Sequence, residues 1–312
     1  LLKILTMLDT LLYTFKISYF DRLLKNAVKK KNKKFLICWN RGLGDIPLGL
    51  YTLIYRIREF IPDVKITFIT RSDLRLGFNL LNQVEVLIDP SWKRGELFDL
   101  KSTLARLEKS EKSFDVIIEH PDPTRWLKWQ LGRVTPKLNW LEKYDVLCER
   151  FSLNPMQKCI AIHIQTETKY KYEKNWPVVY WKECLHQLFS ELNLTPILFG
   201  FSKEIPFLQE GVIDLRGETT LLEMLSIIKN HCCYLLTPDS GVLSMTYYLN
   251  SPFKLSMISL WADPKQGVLK QRVESPNPLL LHIPLIAKHK DICNISVKQV
   301  IKILGELQEK VC

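Results

Sequence analysis

Three stretches of this 312-residue chain set acids, hydroxyls, lysines and glycines at the ends of apolar runs, where they could handle an anionic substrate. In Tyr234–Leu249, a strand-like run stops at Asp239-Ser240-Gly241 and an apolar helical segment follows. A helix starting there would aim unpaired backbone N–H groups and its positive dipole end outward, which suits a diphosphate. The plainer reading of the same turn makes Asp239 or Ser240 an ordinary N-cap. In Asn40–Gly49, Gly42 and Gly44 permit close backbone approach beside an acid, Asp45. The third glycine, Gly49, comes too late for a dinucleotide fingerprint, and the lysine-serine ending of a phosphate-binding P-loop is missing. Asp45 is then either a helix cap or an acid at the mouth of the first half that no phosphate motif explains. The third stretch, Gln165–Pro177, holds Thr166, Thr168, Lys169, Lys171 and Lys174 and ends in Trp176-Pro177. Its cations and hydroxyls could bind phosphate oxygens, with a solvated charged loop as the alternative.

These stretches need a scaffold that brings strand ends together. Apolar runs of strand length alternate with segments of helical period along nearly the whole chain, which predicts parallel sheets with crossover helices. Strands are expected at Phe35–Trp39, Lys65–Ile69, Val84–Ile88 and Asp115–Ile118, with a helix over Leu48–Phe60. After an interruption at Ser152, Asn154 and Pro155, strands follow at Cys159–Ile164, Thr195–Phe199, Val212–Leu215, Tyr234–Leu236 and Leu255–Leu260. Helices are expected at Val178–Leu192 and Leu221–Lys229, and a last amphipathic helix over 296–311 begins at Ser296 as N-cap. The reading is α/β, with an N-terminal segment over 1–34 and two Rossmann-like parallel-sheet domains over 35–154 and 155–312. Such halves are expected to hold a ligand cleft between the carboxyl ends of their strands.

Composition narrows the partners. With 44 Lys+Arg against 33 Asp+Glu, the formal charge of +11 favours anionic ligands. Nucleic acid is set aside because no recognisable binding motif accompanies the charge. The apolar start, broken by Lys3, Asp9, Lys16, Asp21 and Arg22, runs into the lysine block Lys25–Lys34 and makes no clean membrane span. It reads either as an interfacial helix on an anionic leaflet or as a helix packed on the protein's own body. The eight cysteines lack paired metal spacing and suit free thiols in a reducing cytoplasm, and the six histidines are scattered, so no metal site is expected.

Taken together, Gly44-Asp45, Lys174-Asn-Trp-Pro177, Asp214-Leu-Arg-Gly-Glu-Thr-Thr-Leu221 and Asp239-Ser-Gly241 stand in the order and rough spacing found in the ADP-heptose:lipopolysaccharide heptosyltransferases. The chain resembles that family from about Phe35 to Pro264. The resemblance implies the two-domain GT-B fold, with the acceptor on the amino-terminal half and the nucleotide-sugar on the other. It implies that Asp45 is the general base and that Lys174 meets the donor diphosphate. Asp239, Ser240 and Gly241 would lie at the donor sugar and phosphates, with Thr219 at the nucleobase and Glu204 near the ribose. Arg41, Arg71 and Arg125, with Gly44, are candidates for holding an anionic lipopolysaccharide-core or related glycolipid acceptor. No cofactor is expected beyond the substrate, ADP-heptose or another nucleotide-diphosphate sugar.

No DxD motif occurs, in keeping with inverting, metal-independent transfer in which a lysine and helix N-terminal amides stabilise the departing diphosphate. The expected location is cytoplasmic, with the inner membrane face as an open question. Departures cluster around the donor-sugar side: Ser244 replaces the family's histidine, Thr246, Tyr247 and Tyr248 replace small alanines, and Trp261-Ala262 replaces its usual GPT. They motivate an alternative, a catalytically diverged sugar-nucleotide or glycolipid binding protein of the same fold.

Overall fold

Parallel strands flanked by helices on both faces must be apolar nearly throughout, and the strand-length runs of this chain have that character. The computed structural model describes residues 18–166, 172–207, 209 and 211–309. It divides the chain into two units, Leu1–Leu138 with Gln271–Glu274, and Asn139–Lys270 with Ser275–Cys312.

The first unit contains helix α1 (Tyr19–Lys29), strands β1 (Lys34–Trp39), β2 (Lys65–Thr70), β3 (Val84–Ile88) and β4 (Val116–Ile118), and helices α2 (Tyr51–Phe60) and α3 (Leu100–Arg106). The sheet order is β3-β2-β1-β4, all parallel, with Phe35 opposite Ile66 and Val116. Five of the six residues of β1 are buried, as a central strand requires. The helix expected from Leu48 instead opens with a π-helical turn, Ile46–Leu50, in which Pro47 sits at the start where its missing N–H costs nothing.

Residues 1–17 lie outside the described residues. Helix α1 packs on the first unit itself: Ser18 caps it, Phe20, Leu24 and Ala27 are buried, and the Phe20 ring stacks on Trp126 at 5.4 Å. Arg56 of α2 holds Asp21 with two hydrogen bonds of 2.9 and 3.0 Å. Among the described residues, no helix is long and apolar enough to cross a membrane.

The second unit contains β5 (Cys159–His163), α4 (Val178–Ser190), β6 (Thr195–Phe199), β7 (Ile213–Asp214), α5 (Leu221–His231), β8 (Cys232–Pro238), α6 (Gly241–Tyr247), β9 (Leu255–Trp261), β10 (Leu280–Ile286) and α7 (Val297–Glu309). Its six parallel strands run β10-β9-β8-β5-β6-β7. Ile160, Ile162, Trp176, Trp181, Leu236, Ile258, Val300 and Leu304 share its core. Ser296 caps α7 as expected, in a reciprocal box with Gln299.

Two features differ from the sequence reading. Strand β10 was not anticipated, because His282 and Pro284 interrupt the apolar run; at the sheet edge a proline is tolerated. The break between units falls at Leu138/Asn139 rather than 154/155. The 3₁₀ segment Glu142–Phe151 lies against α5, where Arg150 grips Glu223 at 2.6 Å and Lys229 pairs with Asp145 at 2.7 Å. Asn154-Pro155 is thus a turn inside the second unit.

Candidate active site

The sheet order of the second unit determines which residues meet at its carboxyl edge. Loops leaving β10, β9, β8 and β5, four neighbouring strands, carry Lys290, Asp263, Asp239 and Lys174 in that lateral order. Lys174 forms an ion pair with Asp239, both side chains about nine-tenths buried. Burial raises the Asp239 pKa, the Lys174 charge opposes that rise, and the neighbouring Asp263 charge reinforces it. Lys290 pairs with Asp263 at 2.8 Å and holds that carboxyl below the usual range.

The described neighbours of Lys174 are held by specific bonds. Asn175 clasps Thr166 through two hydrogen bonds, Thr166 N–H to Asn175 Oδ1 at 2.8 Å and Asn175 Nδ2 to Thr166 O at 3.2 Å. Trp176 is buried and donates its indole N–H to Ile295 O at 2.8 Å, and Pro177 leads into α4. Thr168, Lys169 and Lys171 lie outside the described residues.

Asp239 is not the cap of the following helix. Ser240 is, accepting from Leu243 N–H at 3.1 Å, which leaves the Asp239 carboxylate to face Lys174. Gly241 is the first residue of α6. Ser244, where the resemblance would place a histidine, is buried and donates to Ser240 O at 3.2 Å. Gly267, at φ +49°, closes the other side: a Cβ there would stand 2.6 Å from Asp239 Oδ1 and 2.7 Å from the Trp261 ring. Only glycine fits both the backbone and the gap.

Farther along the same edge, Glu204 is exposed on the loop after β6, and Thr219 is half-buried beside Thr220, the N-cap of α5. Between them Arg216 is buried, bidentate to Asp214 at 2.8 and 2.7 Å and stacked over Phe207.

In the first unit, Asn40 ends the buried run of β1 and donates its amide to Lys93 O and Glu96 O at 3.2 and 2.8 Å. This pins the loop carrying Arg94. Asp45 makes no cap hydrogen bond to the turn that follows it; its Oδ2 accepts the Gly42 N–H at 3.1 Å. A Cβ on Gly42 would lie 3.0 Å from that oxygen and 3.6 Å from Arg94 Nη2, so Arg94 stands beside Asp45. Arg71 donates to Arg41 O at 3.1 Å and pairs with Asp73. Burial lowers its pKa, Asp73 counteracts and Arg94 adds to the lowering. Gly44 accepts from Leu48 N–H at 3.2 Å, opening the helical turn. Arg125 is exposed in the short helix Pro123–Trp126, and among the described residues no hydrogen bond or ion pair joins it to this loop.

The structure therefore groups Asp45 with Arg41 and Arg71, and Lys174 with Asp239, while Arg125 is on a helix whose Pro123 packs against Gly49 of the turn after Asp45. Sequence reasoning missed Arg94 and Lys290. Lys290 follows the unread strand β10, and the loop that carries Arg94 is tied to Asn40 by amide hydrogen bonds to Lys93 O and Glu96 O that span more than fifty residues. Among the described residues, no group of three or more His, Cys, Asp or Glu is arranged to hold a metal ion.

No family model and no curated protein matches the sequence. Solved structures do match the fold. A glycosyltransferase family 9 structure from Veillonella parvula is 16% identical, covering 89% of this chain and 97% of that one, at a TM-score of 0.62. The E. coli ADP-heptose lipopolysaccharide heptosyltransferase II is 19% identical, covering 89% and 99%, also at 0.62. The E. coli heptosyltransferase WaaC with ADP-2-deoxy-2-fluoro heptose is 12% identical, covering 88% and 99%, at 0.50. The chain has the GT-B fold of these glycosyltransferases.

Proposed function

We propose that the protein is a glycosyltransferase that moves a sugar from a nucleotide-diphosphate donor to a saccharide hydroxyl. The observation that carries this reading is the buried Lys174–Asp239 ion pair at the carboxyl edge of a parallel sheet, in a chain with a glycosyltransferase fold. Cleaving a sugar-phosphate bond leaves charge on the diphosphate. A lysine fixed in a largely dry setting stabilises that charge strongly and without a metal ion. The second unit would take the donor, with Lys174 and the turn Asp239-Ser240-Gly241 at its phosphates and sugar, Thr166 beside them, and Glu204 and Thr219 toward ribose and base.

Asp45 of the first unit would remove the proton from the attacking hydroxyl, and a single displacement of this kind inverts the anomeric centre. Arg41 and Arg71, with the backbone at Gly44, would receive an anionic acceptor. The resemblance favours ADP-heptose or a related donor and a lipopolysaccharide-core or similar glycolipid acceptor, and that chemistry belongs in the cytoplasm at the inner membrane face. Arg125 is a candidate for the outer part of the acceptor.

A panel of ADP, UDP, GDP and CMP with their sugars, read by thermal shift, tests the donor assignment. One nucleotide-sugar should raise the melting temperature. Asp45→Ala should lower transfer by about 10²–10⁴ while leaving donor affinity nearly unchanged. Full activity of that variant would remove the base role. A second reading, a binding protein without turnover, is favoured by Ser244, whose hydroxyl is committed to the helix backbone. Detection of donor turnover with any acceptor excludes it.

A further inference from the structure

We infer that Lys290 is a second cation of the donor site and that, with Lys174, it fits the site to a diphosphate in preference to a single phosphate. The inference rests on the proposed donor site and names a residue to which that proposal gives no role.

Four adjacent strand ends present charge in the order lysine, acid, acid, lysine. The two acids are close enough that the Asp263 charge raises the Asp239 pKa. Each is then balanced by its own lysine on the outer side. Lys290 differs from an ordinary surface partner in three respects. Its acid is buried while its own side chain is 57% exposed, so the ammonium reaches inward from an accessible position. Its ammonium lies 5.4 Å from the Tyr172 ring centroid, at the foot of the segment that delivers Lys174. Finally, His289 and Lys290 both adopt left-handed backbone, at φ 54° and 59°, a conformation that favours glycine. That turn is held by Asp291 N–H and Asn294 Nδ2, both donating to Lys288 O. Backbone strain kept in place by such bonds is commonest where a side chain must be aimed.

An anion arriving at this edge meets Asp239 and Asp263 as well as the lysines. A single phosphate engaging one lysine gains one attraction against two nearby carboxylates. Two linked phosphates would engage Lys174 and Lys290 together and so gain a second attraction that a lone phosphate lacks. Lys290, the exposed member, is free to leave Asp263 for the ligand; a carboxylate or a lone phosphate has no second group to recruit it.

The test compares the nucleoside diphosphate that the wild-type chain binds best, among ADP, UDP, GDP and CDP, with its monophosphate, by titration calorimetry. Inorganic pyrophosphate and orthophosphate serve as base-free probes. Lys290→Gln should weaken diphosphate binding about tenfold and monophosphate binding at most about twofold, and Lys290→Arg should retain most of the diphosphate affinity. Because Lys290→Gln leaves Asp263 unpaired, the pair variant Lys290→Gln/Asp263→Asn is measured alongside and should show the same selective loss. Equal weakening of both nucleotides, or no change in either, overturns the role of Lys290 while leaving the donor site standing. Failure of the wild type to bind any of the four diphosphates overturns the donor reading and this inference with it.

Discussion

Along the carboxyl edge of the second unit, Lys174 and Asp239 neutralise one another out of water and Asp263 is paired with Lys290, whereas at the corresponding edge of the first unit Asp45 is half-buried and Arg41 is exposed. The chemistry reflects the difference. Buried charge needs a fixed partner, so the second edge is preorganised and suits a ligand part that never changes, such as a diphosphate. An exposed arginine on a glycine loop tolerates a range of shapes, as the proposed acceptor site would need, although Arg71 beside it is largely buried. If this contrast is right, substitutions at the second edge should act through stability and tight binding, and those at the first through the acceptor alone.

The largest effect should come from Lys174→Ala. It strands the Asp239 carboxylate in a buried site, and removing one partner of a buried pair costs about 3–5 kcal/mol. The loss should shrink toward pH 5, because burial and Asp263 already raise the Asp239 pKa and without Lys174 the acid can escape its penalty by protonating. Urea midpoints at pH 8 and pH 5 read both quantities. Lys174→Met/Asp239→Leu should recover most of the stability and still bind no donor; a double variant as unstable as the single would mean that the site is not a simple buried pair.

Legibility in the sequence divides along the same line. The strands were legible because buried parallel strands are apolar runs, and Asp239 and Lys174 were legible because they punctuate those runs next to glycine and Trp-Pro. Strand β10 broke the rule with His282 and Pro284, and with it went the position of Lys290. Asp45 could be picked out as an acid, but its use could not: its carboxylate accepts the Gly42 N–H behind it and makes no cap bond to the π-helical turn ahead, and nothing local in the sequence separates the two choices. Arg94 is brought to Asp45 by Asn40, a long-range hydrogen-bonding choice with no local periodicity to announce it. Pro155 looked like a linker because proline ends elements in either setting, and only the packing of Glu142–Phe151 on α5 shows which unit it serves.

Acid should act on the second unit before the first. His163 is buried in β5 with no hydrogen-bond partner for Nδ1 among the described residues, and His282 in β10 meets Ser259 Oγ at 2.6 Å while Trp261 donates to the same oxygen. Burial pushes both imidazoles down to about 4. A depressed histidine is neutral when folded and protonated when unfolded between those values, so the stability it contributes is present above about 6.5 and lost as pH falls toward 4. Up to about 3 kcal/mol per histidine is at stake. The first unit has one histidine, His120, and it is exposed. Unfolding monitored at several pH values should therefore show a second-unit transition that softens between pH 6.5 and 4.5. In His163→Met the slope should flatten; an unchanged slope would mean that this group does not drive the acid response.

Arg41→Gln should be the mildest change and the sharpest check on the contrast. The Arg41 side chain is exposed over the Trp39 ring, at 5.7 Å from its centroid, and it is the Arg41 carbonyl, not the guanidinium, that receives the bond from Arg71. Substitution leaves that bond intact, so stability should move by no more than about 0.5 kcal/mol. If the first edge receives an anionic acceptor, the variant's acceptor KM should rise severalfold at low salt and converge on the wild type as salt screens the charge, with donor affinity constant throughout. A change in donor affinity instead would mean that the exposed arginine and the buried lysine serve the same ligand, and the division of labour between the two edges would fall.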